Sequence, residues 1–169
     1  MKILLTGSEG QLGCALRASL PLVLQNSSVE LIATSRSGGD GLVALDLADS
    51  DACRAAVFES TPDWVINAGA YTAVDRAETE PDLAHAVNAL APRAFAEALA
   101  KTGGRLLQVS TDFVFNGKQG HPYEPLQPRD PLGVYGATKA AGEQAIAEVL
   151  GLEQAGKAAL LRTSWVYGP

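Results

Sequence analysis

The chain opens with KILLTGSEGQLG, an apolar run from Lys2 that ends on a glycine and passes at once into a helical pattern. That is a buried strand, a tight turn and a helix in immediate succession. A strand apolar on both faces needs helices on both sides of its sheet, which restricts the chain to layered α/β architectures.

The rest of the sequence repeats the alternation. QLGCALRASL reads as the first helix, stopped near Pro21, and VELIATS and LVALD as the second and third strands. DSDACRAAVFES is a helix with an acidic first turn, which suits the helix dipole, and DWVINAGA a fourth strand. EPDLAHAVNALAPRAFAEALAKTGG predicts a long helix, jogged at Pro92 and ended by Gly103. RLLQVST is a fifth strand, residues Phe115 to Leu132 a Pro- and Gly-rich loop, YGATKAAGEQAIAEVLG a helix and AALLRTS a sixth strand. The expectation is one α/β domain, a Rossmann-like doubly wound parallel sheet of order 3-2-1-4-5-6, with ligands beyond the carboxyl ends of its strands.

Bulk properties narrow the function classes. With 169 residues, 47% hydrophobic and 19% charged, the chain is sized and composed for a soluble core. Its net charge of −6 argues against nucleic acid or an anionic membrane as partner, though not against a local basic site for a phosphorylated ligand. The N-terminal apolar run is too short for a signal peptide, and no later run approaches membrane-spanning length, so a cytoplasmic protein is expected. Cys14 and Cys53 read as buried free thiols, and His85 and His121 form no ligand cluster, so no protein-built metal site is expected.

Gly7, Gly10 and Gly13 form a Gly-x-x-Gly-x-x-Gly relative of the dinucleotide fingerprint. In that reading Gly7 makes the turn, Gly10 admits a pyrophosphate against the backbone, and Gly13 lets helix and strand pack closely. N–H groups at the helix start then face the phosphates. The competing reading is an ordinary tight βα turn. The fingerprint expects a carboxylate after the second strand, on the adenosine ribose. Here the strand ends in Thr34, Ser35 and Arg36. Arg36 suits a 2′-phosphate, which favours NADP(H), and it also reads as a solvated loop arginine. Asp46 falls near the expected adenine, or belongs to an acidic helix cap.

Tyr135 and Lys139 stand at i and i+4 of the last helix, on one face. The expectation is that the ammonium lowers the phenol's pKa and that the phenol protonates a carbonyl oxygen as hydride arrives. A surface pair is the plain alternative. Ser110, Thr111 and Asp112 end the fifth strand on the ligand edge, where a hydroxyl can hold a substrate carbonyl.

Together, TGSEGQLG, NAGAYTAVDRAE, STDFVFNG, YGATKAAGE and RTSWVYG resemble the extended short-chain dehydrogenase/reductases, and among them the dTDP-4-dehydrorhamnose reductase family. The resemblance covers essentially the whole chain. It implies reduction of dTDP-4-dehydro-6-deoxy-L-mannose to dTDP-L-rhamnose, with Tyr135 as acid, Lys139 in support and Thr111 on the carbonyl. Asp112 and Trp165 match sugar-nucleotide contacts. Gly10, Gln11 and Leu12 match the pyrophosphate loop, and Asp46 and Leu47 an adenine-side contact. Ala70, Tyr71 and Thr72 match a stretch along the cofactor, and Val109 a position beside the nicotinamide. The partner implied is a dTDP-linked 4-keto-6-deoxy sugar. Some members of the family are dimers linked by magnesium, so a homodimer is also within the resemblance.

Two departures stand out. The family often carries Asp near the end of strand two, where this chain has Ser35 and Arg36. NADP(H) is therefore expected ahead of NAD(H). Members also continue past RTSWVYG into a seventh strand and a smaller substrate domain, so residues 1–169 are expected to be the NADP(H)-binding domain with the C-terminal substrate domain absent, and nearly inactive alone. Two other readings remain: a sugar-nucleotide epimerase or dehydratase that retains its NAD, and a non-catalytic module like the regulatory subunit of methionine adenosyltransferase.

Overall fold

The computed structural model describes residues 1–24, 28–152 and 156–168. Six parallel strands form one sheet in the order β3-β2-β1-β4-β5-β6. They are β1 (Lys2–Thr6), β2 (Glu30–Ser35), β3 (Val43–Ala44), β4 (Trp64–Asn67), β5 (Arg105–Thr111) and β6 (Ala158–Thr163). The helices are α1 (Gln11–Val23), α2 (Ser50–Ser60), α3 (Val74–Ala77), α4 (Pro81–His85), α5 (Ala91–Thr102) and α6 (Val134–Leu150). This is the doubly wound fold and strand order expected from the sequence. Among the described residues, no helix is long and apolar enough to cross a membrane.

Strand alternation assigns the core to two layers. Leu4, Val65 and Leu106 face α2, α5 and α6, where they meet Cys53, Val57, Phe95, Leu99, Ile146 and Leu150. Ile3, Leu5 and Ile66 face the other way and pack against Leu16 and Leu20 of α1. A row of buried polar side chains crosses the strands just below their carboxyl ends. Thr6 donates to Asn67 at 2.5 Å, and Asn67 donates to Gln108 at 2.7 Å. These residues are register partners on β1, β4 and β5, so every polar group in the row has a partner at no cost to the ladder.

Several local expectations needed correction. α1 runs through Pro21 to Val23. In a last turn the missing N–H leaves only the carbonyl of exposed Arg17 without a helical partner, and water can supply one. Cys14 is exposed and only Cys53 is buried, because α1 rests on the sheet through Leu16 and Leu20 and turns Cys14 outward. β4 stops at Asn67 rather than continuing to Ala70. Beyond that point its neighbour β1 has already turned into the glycine loop, and Thr6 Oγ1 takes the Gly69 N–H at 3.1 Å. The short α3 went unread in the sequence.

The long helix before β5 is jogged as expected, but by a π-helical turn over Ala86–Leu90 placed just ahead of Pro92. Pro92 has no N–H for the Asn88 carbonyl four residues earlier. α6 presses on that carbonyl: a Cβ on Gly142 would lie 2.2 Å from the Asn88 oxygen. Close approach to neighbouring backbone thus explains Gly142, and also Gly136, whose Cβ would lie 2.3 Å from the Phe113 carbonyl oxygen. Gly142→Ala is expected to destabilise the fold by about 1–3 kcal/mol through overpacking. Equilibrium urea unfolding measures it, and an unchanged midpoint would refute the contact.

Candidate active site

A cavity of about 830 Å³ opens at the carboxyl ends of β1, β4 and β5. It lies where the strand order reverses between β1 and β4, the position at which doubly wound sheets bind ligands. Gly7, Gly10, Gln11, Leu12 and Gly13 all line it. Gly7 adopts φ +65°, and a Cβ on Gly13 would fall 2.1 Å from the Gly7 carbonyl oxygen, so no other residue fits at position 13 without moving the loop. Buried Ser8 holds the turn to β2, with its N–H on the Thr34 carbonyl and its Oγ accepting from Thr34 N–H, each at 3.1 Å. Gly10 caps α1 without any side-chain bond to the first N–H groups. The helix therefore begins with uncapped donors beside an open cavity, an arrangement suited to an anion.

Arg36, Asp46 and Leu47 line the far end of the cavity. Arg36 lies 3.9 Å from Asp46, and both side chains are largely exposed. Asp46 is not the cap of α2: Asp49 is, accepting from Asp51 and Ala52 N–H at 3.0 and 2.9 Å. Asp46 instead closes its own turn through Ala48 N–H at 2.9 Å. Ala70 and Thr72 line the middle, but Tyr71 does not reach the cavity. Its backbone N–H is held by Asn88 Oδ1 at 2.9 Å, and its phenol donates to Glu80 at 2.6 Å. The extended stretch after β4 alternates its side chains, which sends Ala70 and Thr72 one way and Tyr71 the other.

Val109, Thr111, Asp112, Tyr135, Lys139 and Trp165 gather at the near end. Trp165 is 79% exposed and forms the rim rather than the wall. Lys139 is buried and donates to the Val109 carbonyl at 2.8 Å. Burial brings its ammonium down to about 8, against the opposing pull of the Glu143 carboxylate. The expected lowering of the Tyr135 pKa by Lys139 is not found. Burial pushes the phenol up from its ordinary value, the Thr111 hydroxyl pulls it back, and Asp112 adds to the rise. The ammonium is committed to Val109 and takes no part in the shift. The result is a phenol that keeps its proton at neutral pH, the state a proton donor requires. Phe113 packs edge-on against it, ring centroids 5.6 Å apart.

The sequence reading missed the residues that hold this group in place. Glu78, the last residue of NAGAYTAVDRAE, accepts from Val134 N–H at 2.8 Å and so caps the helix that carries Tyr135. Asn88 bonds both the N–H and the carbonyl of Tyr71, and it reaches Thr138 on α6 at 3.2 Å. Glu143 is fully buried, with Ser110, Arg129 and Arg162 around it. A Glu two turns into an Ala-rich helix stands out in the sequence, but its partners come from three distant segments. Among the described residues, no three His, Cys, Asp or Glu side chains group as metal ligands do.

The profile of the RmlD substrate binding domain family matches residues 1–169. The chain belongs to the RmlD family. A dTDP-4-dehydrorhamnose reductase from Streptomyces griseus is 44% identical over 98% of the chain and 50% of its own length. Among solved structures, a dTDP-4-dehydrorhamnose reductase from Clostridium acetobutylicum superposes with a TM-score of 0.86 at 36% identity, covering 99% of this RmlD-family chain and 55% of that one. The Bacillus anthracis dTDP-4-dehydrorhamnose reductase, solved in complex with NADP, has a TM-score of 0.83 at 33% identity over 98% of this chain and 54% of its own. The chain spans about half the length of the curated relatives it matches.

Proposed function

We propose that this chain is the cofactor-binding half of an NADPH-dependent reductase that converts dTDP-4-dehydro-6-deoxy-L-mannose to dTDP-L-rhamnose. One observation carries the reading: a half-buried phenol that keeps its proton and a buried ammonium face the same cavity as an uncapped helix start on a glycine turn. Its family membership and the names of its relatives support the substrate class.

The residues fit a dinucleotide. Gly13 lets the loop fold tightly onto α1, and the uncapped N–H groups at the start of α1 stand beside the cavity, where they suit a pyrophosphate. Arg36 would meet a 2′-phosphate, Asp46 and Leu47 the adenosine, Ala70 and Thr72 the middle of the cofactor, and Val109 the nicotinamide end. When bound, NADPH supplies a hydride to the C4 carbonyl carbon. Thr111 orients the carbonyl oxygen, and Tyr135 gives that oxygen its proton. Lys139, held on the Val109 carbonyl at the cavity wall, would meet the nicotinamide ribose, and Asp112 and Trp165 would hold the sugar.

The test is loss of NADPH absorbance on adding dTDP-4-dehydro-6-deoxy-L-mannose to the protein expressed from its whole gene. Tightly retained NAD and no net oxidation would instead mark an epimerase or dehydratase. Cofactor choice is tested separately. Arg36→Ala is expected to weaken NADPH binding by about 1.5–3 kcal/mol, the range of a hydrogen bond to a charged group. NADH binding should change little. Equal losses for both cofactors, read by calorimetry, would remove Arg36 from the 2′-phosphate.

A further inference from the structure

Tyr135, Lys139 and Glu143 recur at i, i+4 and i+8 along one face of α6. Opposite them stand three consecutive residues at the end of β5. Tyr135 meets the Thr111 hydroxyl, Lys139 Nζ donates to the Val109 carbonyl at 2.8 Å, and Ser110 Oγ donates to Glu143 at 2.6 Å. Two members of this row have roles in the proposed reaction, and the third does not touch the cavity. It is nevertheless the most elaborately held side chain in the vicinity. Arg162 of β6 binds the Glu143 carboxylate through Nε at 2.9 Å and Nη2 at 2.7 Å, and Arg129 adds a bond at 3.2 Å. Arg162 also donates to the Pro125 carbonyl at 2.9 Å and lies over the Phe115 ring, which ties the loop after β5 to the same carboxylate.

A buried ion cluster is a poor device for stability, since well-packed apolar side chains of the same volume do as well or better. What it does supply is a unique register, because only one position of α6 on β5 satisfies every bond. Burial works against the Glu143 charge, and the bonds from Arg162, Ser110 and Arg129 overcome it, so the carboxyl stays below its ordinary range. The carboxylate is thus a fixed negative charge one helical turn from the ammonium.

We propose that Glu143 is a positioning residue for the Tyr135–Lys139 pair, holding both against the end of β5 and sustaining the positive charge of Lys139. The proposal deepens the reductase reading and rests on it for its purpose. The other groups around Lys139 are few. On α6 these are Tyr135 and Glu143, after β5 Asp112, on β6 Arg162 and in the loop Arg129. The π-helical turn contributes uncharged Asn88. On α3, α4 and the turn between them, Asp75, Arg76, Glu78, Asp82 and His85 are exposed and Glu80 pairs with Arg76, and on α5 Arg93 and Glu97 pair outward with Glu148 and Arg54.

The chain has five lysines, so the ¹³Cε resonance of Lys139 can be followed through a pH titration and assigned by its loss in Lys139→Met. Glu143→Gln should move its midpoint down by about one pH unit, as expected when a nearby opposite charge is lost. Arg162→Gln should move it up, because the carboxylate then keeps less of its compensation. A merely structural role would not shift the midpoint in opposite directions. Unchanged midpoints in folded variants, or shifts of the same sign, would overturn the proposal. Should Glu143→Gln fail to fold, Arg162→Gln decides alone. Arg129→Gln, at the solvent edge of the cluster, takes the place of either variant, with the same upward shift expected and no shift refuting. Opposite shifts in a protein that reduces no sugar nucleotide would uphold the coupling and remove only the reductase reading.

Discussion

Replacing Tyr135 by Phe is expected to lower turnover by about 10²-fold or more, the usual worth of a general acid. The ring stays, and with it the edge-on contact to Phe113. Only the hydroxyl beside Thr111 is lost. NADPH affinity should hold within a few-fold, because the glycine turn, Arg36 and Lys139 are untouched. Turnover near wild type would exclude Tyr135 as the proton donor. A parallel loss of cofactor binding would mean that the hydroxyl serves the cofactor rather than the substrate carbonyl.

That side chain was legible from the sequence, and so was most of the frame around it. Strand and helix alternate at periods that local patterning reveals, and β5 was bounded to the residue because RLLQVST is apolar, β-branched at its end and flanked by glycine and aspartate. Gly10 and Gly13 could be read because each answers a steric demand within its own loop. What stayed hidden depends on contacts between distant segments. The upward shift of Tyr135 comes from burial under chain that sequence spacing does not place. Lys139 turns away to Val109, thirty residues earlier in the chain, rather than toward the phenol four residues before it. The outward turn of Tyr71 is set by Asn88, and the π-helical turn that positions Asn88 has no local sequence signature beyond Pro92. Glu78 and Glu143 carry no local sign of their partners, because Glu78 caps α6 at Val134 and Glu143 on α6 meets Arg162 of β6.

Assayed by itself, the 169-residue chain is expected to bind NADPH yet reduce the sugar nucleotide at least about 10²-fold more slowly than a relative of full length, such as the Streptomyces griseus reductase. The cofactor cavity draws its walls from the loops after β1, β3 and β4, the ends of β2, β5 and β6 and the starts of α1 and α6, all within the chain. The sugar end is different. Phe113 and Trp165, which line it, stand 47% and 79% exposed, and nothing among the described residues closes over them. Binding energy from remote parts of a substrate holds the reacting carbon in place, so its loss lowers turnover as well as affinity. Leu161 on β6 is likewise 50% exposed, on the sheet face that α1 leaves open. Exposed apolar surface of this kind favours self-association, which sedimentation would register as dimers or larger species. Calorimetry should find NADPH binding without measurable sugar-nucleotide binding. Turnover matching the full-length relative would mean that the substrate site lies wholly within these residues.

The most direct test of hydride transfer follows the hydrogen itself. Protein expressed from the whole gene is supplied with NADPH deuterated at both nicotinamide C4 positions and with dTDP-4-dehydro-6-deoxy-L-mannose, and the sugar nucleotide is analysed by mass and NMR. The account predicts dTDP-L-rhamnose carrying one deuterium on C4, with an unlabelled hydroxyl proton delivered through Tyr135. A product without deuterium, or an unreduced sugar beside fully deuterated cofactor, would contradict it.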